Sequence, residues 1–171
     1  LEGGTRVPCI IRFPDLIPAG EVTGKLTTAI DLLPTLAGAC GIKLKVGPGI
    51  VPKMDGLNLW ESLQGKAKAH PRSNLLYWHG WAMPQAIRVG EWKLYLDKVK
   101  EIPGTNKGPV LIDLSKDPAE EKDLASEYPE KVKGMKELAK KLLSEIEENS
   151  ISLGGPADPR KKSPKQGHWI P

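Results

Sequence analysis

The spacing of apolar residues changes its period along the chain, and each change predicts a different element. Residues 7–13, VPCIIRF, form a continuous apolar run with β-branched members, bounded by Gly-rich sequence before and PDLIPAG after, which predicts a short buried strand. In TGKLTTAIDLLPTLAGACGI the period becomes helical. Ile30, Leu33 and Leu36 recur at three-residue intervals, Thr27 or Thr28 can serve as N-cap, and Gly38 and Gly41 mark the end. Pro34 lacks a donor and clashes with the preceding turn, so it should kink this helix or begin a second turn within it. VGPGIVPKMDGLNL is rich in Gly and Pro and reads as loop, with a short helix following in LNLWESLQG.

After KAHPR the pattern shifts to short runs of aromatic and β-branched residues. NLLYWHGW, QAIRVG, EWKLYLD and VLIDL are separated by Gly or charged breaks and predict an antiparallel meander, with a tight hairpin at Gly90-Glu91. Pro129 then opens a helix at its first turn. Val132, Met135, Leu138, Ala139, Leu142 and Ile146 follow at three- and four-residue intervals and form one apolar stripe, while Lys and Glu lie elsewhere. Beyond residue 151, Gly, Pro and basic residues predict an extended or disordered tail.

Together these elements predict an α+β chain. Residues 66–150 make a four-stranded antiparallel sheet with a packed C-terminal helix, and residues 151–171 are a basic tail. One strand and one helix cannot close a core, so residues 1–65 read as the last strand and helix of a truncated α/β domain. The apolar side chains of residues 7–13 and 30–36 would then lie exposed in a lone monomer, which predicts self-association or a rearranged first third.

Composition narrows the function classes. The 171 residues are 39% hydrophobic and 27% charged, as in a soluble globular protein. No apolar run approaches the roughly 18 residues of a membrane-spanning helix, so no membrane partner is expected. The net charge of +4 suggests a nucleic-acid ligand, but residues 154–171 alone carry +3 of it and leave the body nearly neutral, which argues against that ligand. Cys9 and Cys40 lack the CxxC spacing of zinc or thioredoxin-type sites and lie in apolar surroundings, which predicts buried thiols; spacing leaves a disulfide between them open. Asp15, Asp31, Asp55, Asp113 and Asp117 are scattered over separate elements and form no calcium cage by sequence.

Five segments, LEGGTRVPCIIRFP, TTAIDLLPTLAGACG, MDGLNLWESLQG, AIRVGEWKLYL and LIDLSKDPAEEKDLA, occur in this order and together resemble the C-terminal part of the sulfatase family, the arylsulfatase-like branch of the alkaline-phosphatase superfamily. The resemblance implies a parent enzyme that hydrolyses sulfate esters through a formylglycine nucleophile and calcium, in a periplasmic, secreted or lysosomal setting. It also implies that the rest of the catalytic domain is this chain's partner. The Cys/Ser-x-Pro-x-Arg motif that marks the formylglycine site is absent: Cys9 precedes Ile10, Ile11 and Arg12, and Cys40 precedes Gly41, Ile42 and Lys43. The chain alone is therefore expected to be inactive. Alternative readings are a related phosphodiesterase or phosphonate hydrolase, and a non-catalytic polyanion-binding module resting on the basic tail.

The same resemblance places Glu2, Gly3, Gly4 and Arg6 on the wall behind the active site, the glycines permitting positive φ or close backbone approach. It places His79, in YWHGW, on the edge facing substrate, where an imidazole can bind a sulfate or sugar oxygen and Trp78 or Trp81 can offer an apolar face to a ring. Asp31 is expected to bond a local cap or turn, Asp117 and Pro118 to direct the closing turn, Arg88 and Lys93 to be solvated strand residues, and His70 to carry no signal.

Overall fold

The computed structural model describes residues 1–45, 54–79, 83–97 and 108–149. The chain divides into two compact units, Leu1–Leu75 and Leu76–Pro171. The elements are α1 (Leu32–Ala39), α2 (Trp60–Leu63), β1 (Asn74–His79), β2 (Met83–Val89), β3 (Trp92–Tyr95), β4 (Val110–Asp113) and α3 (Pro129–Glu148), with 3-10 turns at Glu2–Gly4 and Ala29–Asp31.

In the second unit the meander forms as its short runs of aromatic and β-branched residues predict, with strand order β1-β2-β3-β4. The β2–β3 pair is antiparallel with Val89 opposite Trp92, so Gly90 and Glu91 alone make the turn. Gly90 has φ +57°, the left-handed backbone that such a two-residue connection requires. Alternation gives the sheet two apolar faces. Ile87, Leu94, Leu96 and Leu111 meet Met135, Ala139 and Leu143 of α3, and on the other face Ala86, Tyr95, Val110, Ile112 and Leu114 cluster with Tyr77. On the helix, Leu143 rather than Ile146 completes the buried stripe.

The free edge of β4 is closed by the segment after it. Leu124 N–H donates to Leu111 O at 2.8 Å, and Asp123 Oδ1 accepts from Leu111 N–H at 3.0 Å. Such coverage removes an edge that would otherwise invite another strand.

The first unit differs from expectation over residues 7–13. No strand forms there, and Val7 and Ile10 are 75% and 94% exposed. A strand exists only where a neighbour takes up its backbone donors and acceptors, and no described residue lies beside this segment as a paired strand. Its one side-chain anchor among the ring contacts is Phe13, edge-on to Trp60 at 5.4 Å between centroids. Cys9 and Cys40 are free and exposed rather than buried, because the apolar surroundings inferred from sequence neighbours are not assembled around them. Leu32, Leu33 and Leu36 of α1 are likewise more than half exposed, as expected for a helix stripe without its covering layer. Pro34 lies in the first turn of α1, where the 3-10 turn gives way to α-helix, so it begins a turn and does not kink one.

Candidate functional site

The first unit is organised around one carboxylate. The 3-10 turn at Ala29–Asp31 is capped by Thr28, whose N–H donates to Asp31 Oδ2 at 3.1 Å, as local hydrogen bonding predicts. The rest of the arrangement is long-range. Arg72 donates from Nε to Asp31 Oδ2 at 2.8 Å and from Nη2 to Oδ1 at 2.5 Å, and Leu57 N–H donates to Oδ1 at 2.8 Å. Arg72 Nη2 also reaches Asp55 O at 2.8 Å. One ion pair, with side chains 8% and 2% exposed, thus joins three segments far apart in sequence. Burial pushes the Asp31 carboxyl up, but the bonds from Arg72 and Leu57, the Arg72 charge and the Thr28 N–H outweigh it, so its pKa lies below the ordinary value of 3.8.

One helical turn after Asp31, Thr35 continues the seam. Its hydroxyl accepts from Leu59 N–H at 3.0 Å and donates to Leu57 O at 3.4 Å. Gly56 lies where this segment crosses the preceding turn. A Cβ there would overlap Ile30 O, so only glycine fits. His70 makes a second tie: Nδ1 is 2.9 Å from Ser62 Oγ, and Nε2 donates to Leu26 O at 2.7 Å.

The second unit holds its own buried charge pair. Lys93 Nζ is 2.9 Å from Glu120 Oε1, with side chains 3% and 0% exposed, and the Tyr95 hydroxyl donates to the same oxygen at 2.8 Å. The ammonium sits 4.8 Å from the ring centroids of both Tyr77 and Tyr95. Lys93 and Arg88 are therefore buried, not solvated. Burial follows from their place on the sheet face opposite α3, where Glu120 and the tyrosines satisfy Lys93. Arg88 turns back to Gly90 O at 2.8 Å. In the closing turn Asp117 accepts from Glu121 and Lys122 N–H groups, the structural role expected of it. The Ser115 hydroxyl donates to the Asp113 carboxylate, which holds its pKa down, with Lys116 adding to the effect.

The residues singled out from sequence are only partly brought together. Glu2 is 3% exposed inside the 3-10 turn Glu2–Gly4, and Arg6 N–H donates to Glu2 O at 2.8 Å, so these residues share one small turn. Gly3 and Gly4 have no positive φ, and a Cβ added at either would meet nothing within 4 Å, so the conformational role expected of them does not hold within this chain. His79 ends β1. Its side chain and the whole of Trp81 lie outside the described residues. Among the described residues no group of three or more His, Cys, Asp or Glu is placed to hold a metal ion. Sequence reasoning does not find Arg72, His70 or Glu120. Only the family-like segments around Asp31 and Gly56 hint at a fixed seam, and their partner Arg72 stands in featureless loop sequence.

A family model described as N-sulphoglucosamine sulphohydrolase, C-terminal, matches residues 1–150. The chain belongs to the sulfatase family. Human arylsulfatase A is 31% identical over 80% of this chain and 30% of its own length, and mouse steryl-sulfatase is 29% identical over 74% and 23%. This sulfatase chain thus spans less than a third of the length of these relatives. A protein solved in complex with its substrate, D-glucosamine-2-N,6-O-disulfate, superposes with a TM-score of 0.60 at 22% identity, covering 82% of this chain and 28% of that one, and so shares the fold. The sheet and C-terminal helix of the second unit are accordingly those of a sulfatase C-terminal region.

Proposed function

We propose that this chain is the C-terminal portion of a sulfatase whose full-length parent hydrolyses sulfate esters, and that the chain by itself is inactive. The observation that carries the reading is the match of a C-terminal sulfatase model to residues 1–150. It is supported by the lack of a Cys/Ser-x-Pro-x-Arg sequence in these residues. The parent's nucleophile, read as formylglycine, and its calcium ligands then belong to the rest of the catalytic domain. Residues 1–65 contribute to that domain, residues 66–150 form the closing subdomain, and residues 151–171 are a tail.

On this reading Glu2, Gly3, Gly4 and Arg6 back the active site as a preformed turn, and His79 and Trp81 contribute to substrate binding. His79 would bind a sulfate or sugar oxygen through its imidazole, with Trp81 offering an apolar face to the substrate's ring. The test compares the 171-residue chain with the full-length parent on 4-nitrophenyl sulfate and on a phosphate diester, each with calcium. The reading expects turnover of the sulfate ester by the parent and none by the chain. Metal-dependent turnover by the chain, or a parent that prefers the phosphate diester, would reject it.

A further inference from the structure

Residues 66–74, KAKAHPRSN, have the sequence of a loose linker: small and basic residues without an apolar stripe, between α2 and the start of β1. The boundary between the two units follows immediately, after Leu75, so β1 begins in the first unit and ends in the second. Connections at such boundaries are ordinarily exposed and flexible, because few contacts cross them. Here the segment is pinned twice, and both anchors lie in the first unit.

His70 is one anchor. Its Nε2 donates to Leu26 O at 2.7 Å, which leaves Nδ1, 2.9 Å from Ser62 Oγ, as acceptor of the Ser62 hydroxyl. Arg72 is the other. Its Nε and Nη2 hold the two Asp31 oxygens, Nη2 also donates to Asp55 O at 2.8 Å, and Nη1 lies 3.5 Å from Asn74 O, so every guanidinium nitrogen is engaged. Between the anchors, Pro71 fixes its own φ and biases His70 toward extended backbone. Only Ser73 separates Arg72 from Asn74, the first residue of β1. Two residues of extended chain span at most about 7 Å, so an anchored Arg72 leaves the start of the strand little room to move.

We propose that His70 and Arg72 are positioning residues of the parent enzyme: they fix the point from which β1 sets out, and thereby place its last residue, His79, to which the proposed function gives a part in substrate binding. Both act through β1, and neither is assigned a contact with substrate. A strand held before substrate arrives spares binding the cost of ordering it, so loss of an anchor should weaken binding and leave the chemical step alone. The effect on the reaction rests on the sulfatase reading, whereas the anchoring rests only on the bonds above.

Two variants separate positioning from mere stability. Arg72→Lys keeps the charge but loses the planar fork that serves Asp31 and Asp55 O together. Insertion of two glycines between Ser73 and Asn74 leaves both anchors and the first unit intact and frees only the strand. In the 171-residue chain, nitrogen-15 relaxation should give the His70, Arg72 and Ser73 amides order parameters of about 0.85, as in α1, and Arg72→Lys should lower them toward about 0.6 with β2 and β3 signals unmoved. In the full-length parent, each variant should raise KM for 4-nitrophenyl sulfate several-fold at unchanged kcat. Order parameters below about 0.6 in the unaltered chain, an insertion that leaves KM as it was, or an Arg72→Lys enzyme that loses kcat at constant KM, as a smaller folded fraction would, each overturn the proposal. Because relaxation needs no turnover, a loose linker and failure of the sulfatase reading give different results.

Discussion

At the scale of single residues, two buried ion pairs set what this chain tolerates. Asp31 and Arg72 satisfy one another bidentately and fix three segments, so Arg72→Met leaves a buried carboxylate with only backbone donors. Such a loss should cost about 3 kcal/mol, the scale for removing one partner of a buried pair, read as reduced hydrogen-exchange protection of Leu57 and Leu59. The sign of the pH effect follows from the lowered Asp31 pKa. Its contribution is fully present above the ordinary value of 3.8 and is lost as pH falls through the lower folded value. Acid titration of the first unit should therefore show a loss of stability below pH 3.8 that Arg72→Met removes or moves to higher pH. In the second unit, Lys93→Met deprives Glu120 of the Lys93 charge and should cost about 3–5 kcal/mol, while adding Glu120→Gln, which keeps an acceptor for the Tyr95 hydroxyl, should restore part of it. Equal stability of the single and double variants in urea denaturation would refute this account.

At the scale of elements, local signals are legible wherever one segment can decide its own structure. The β2–β3 turn follows from Gly90-Glu91 between two short strand-forming runs, and α3 follows from Pro129 and its apolar stripe. The register of the first unit is different, because it depends on a crossing of two backbones at Gly56 and Ile30 that no periodicity reveals. Gly56→Ala would drive a methyl group into Ile30 O and should destabilise the first unit by about 2–3 kcal/mol, at the upper end for overpacking. The loss should appear as broadened or shifted signals for residues 28–35 and 55–59, with the second unit's signals unchanged. Sequence pattern misplaces Lys93 for a related reason: alternation assigns a residue to a sheet face, but whether that face is wet depends on what else folds over it.

At the scale of the molecule, the two units differ in completeness. The second buries an apolar core between its sheet and α3, whereas the first leaves Val7, Ile10, Val22, Leu33 and Leu36 more than 60% exposed. These exposed apolar residues offer a docking face, and under the proposed function the rest of the parent's catalytic domain would be what covers it. The isolated chain should bind a hydrophobic dye and self-associate with rising concentration. Monomeric sedimentation without dye binding would show that this face is already covered. Leu33→Glu/Leu36→Glu should suppress the association while leaving the α3-facing sheet core intact.

The sequence alone determined the elements whose instructions are local: the strands, their tight turn, the covering helix, and the motif order that pointed to a sulfatase C-terminal region. The lack of a nucleophile motif could also be read directly. Only the tertiary structure decided which charges are buried, because Asp31 with Arg72, Lys93 with Glu120, and His70 with Ser62 meet across 41, 27 and 8 residues of chain. It also decided that residues 7–13 make no strand among the described residues. An apolar run states that a segment gains by burial, but a strand needs a neighbour's donors and acceptors, and those are supplied by contacts that sequence spacing does not specify.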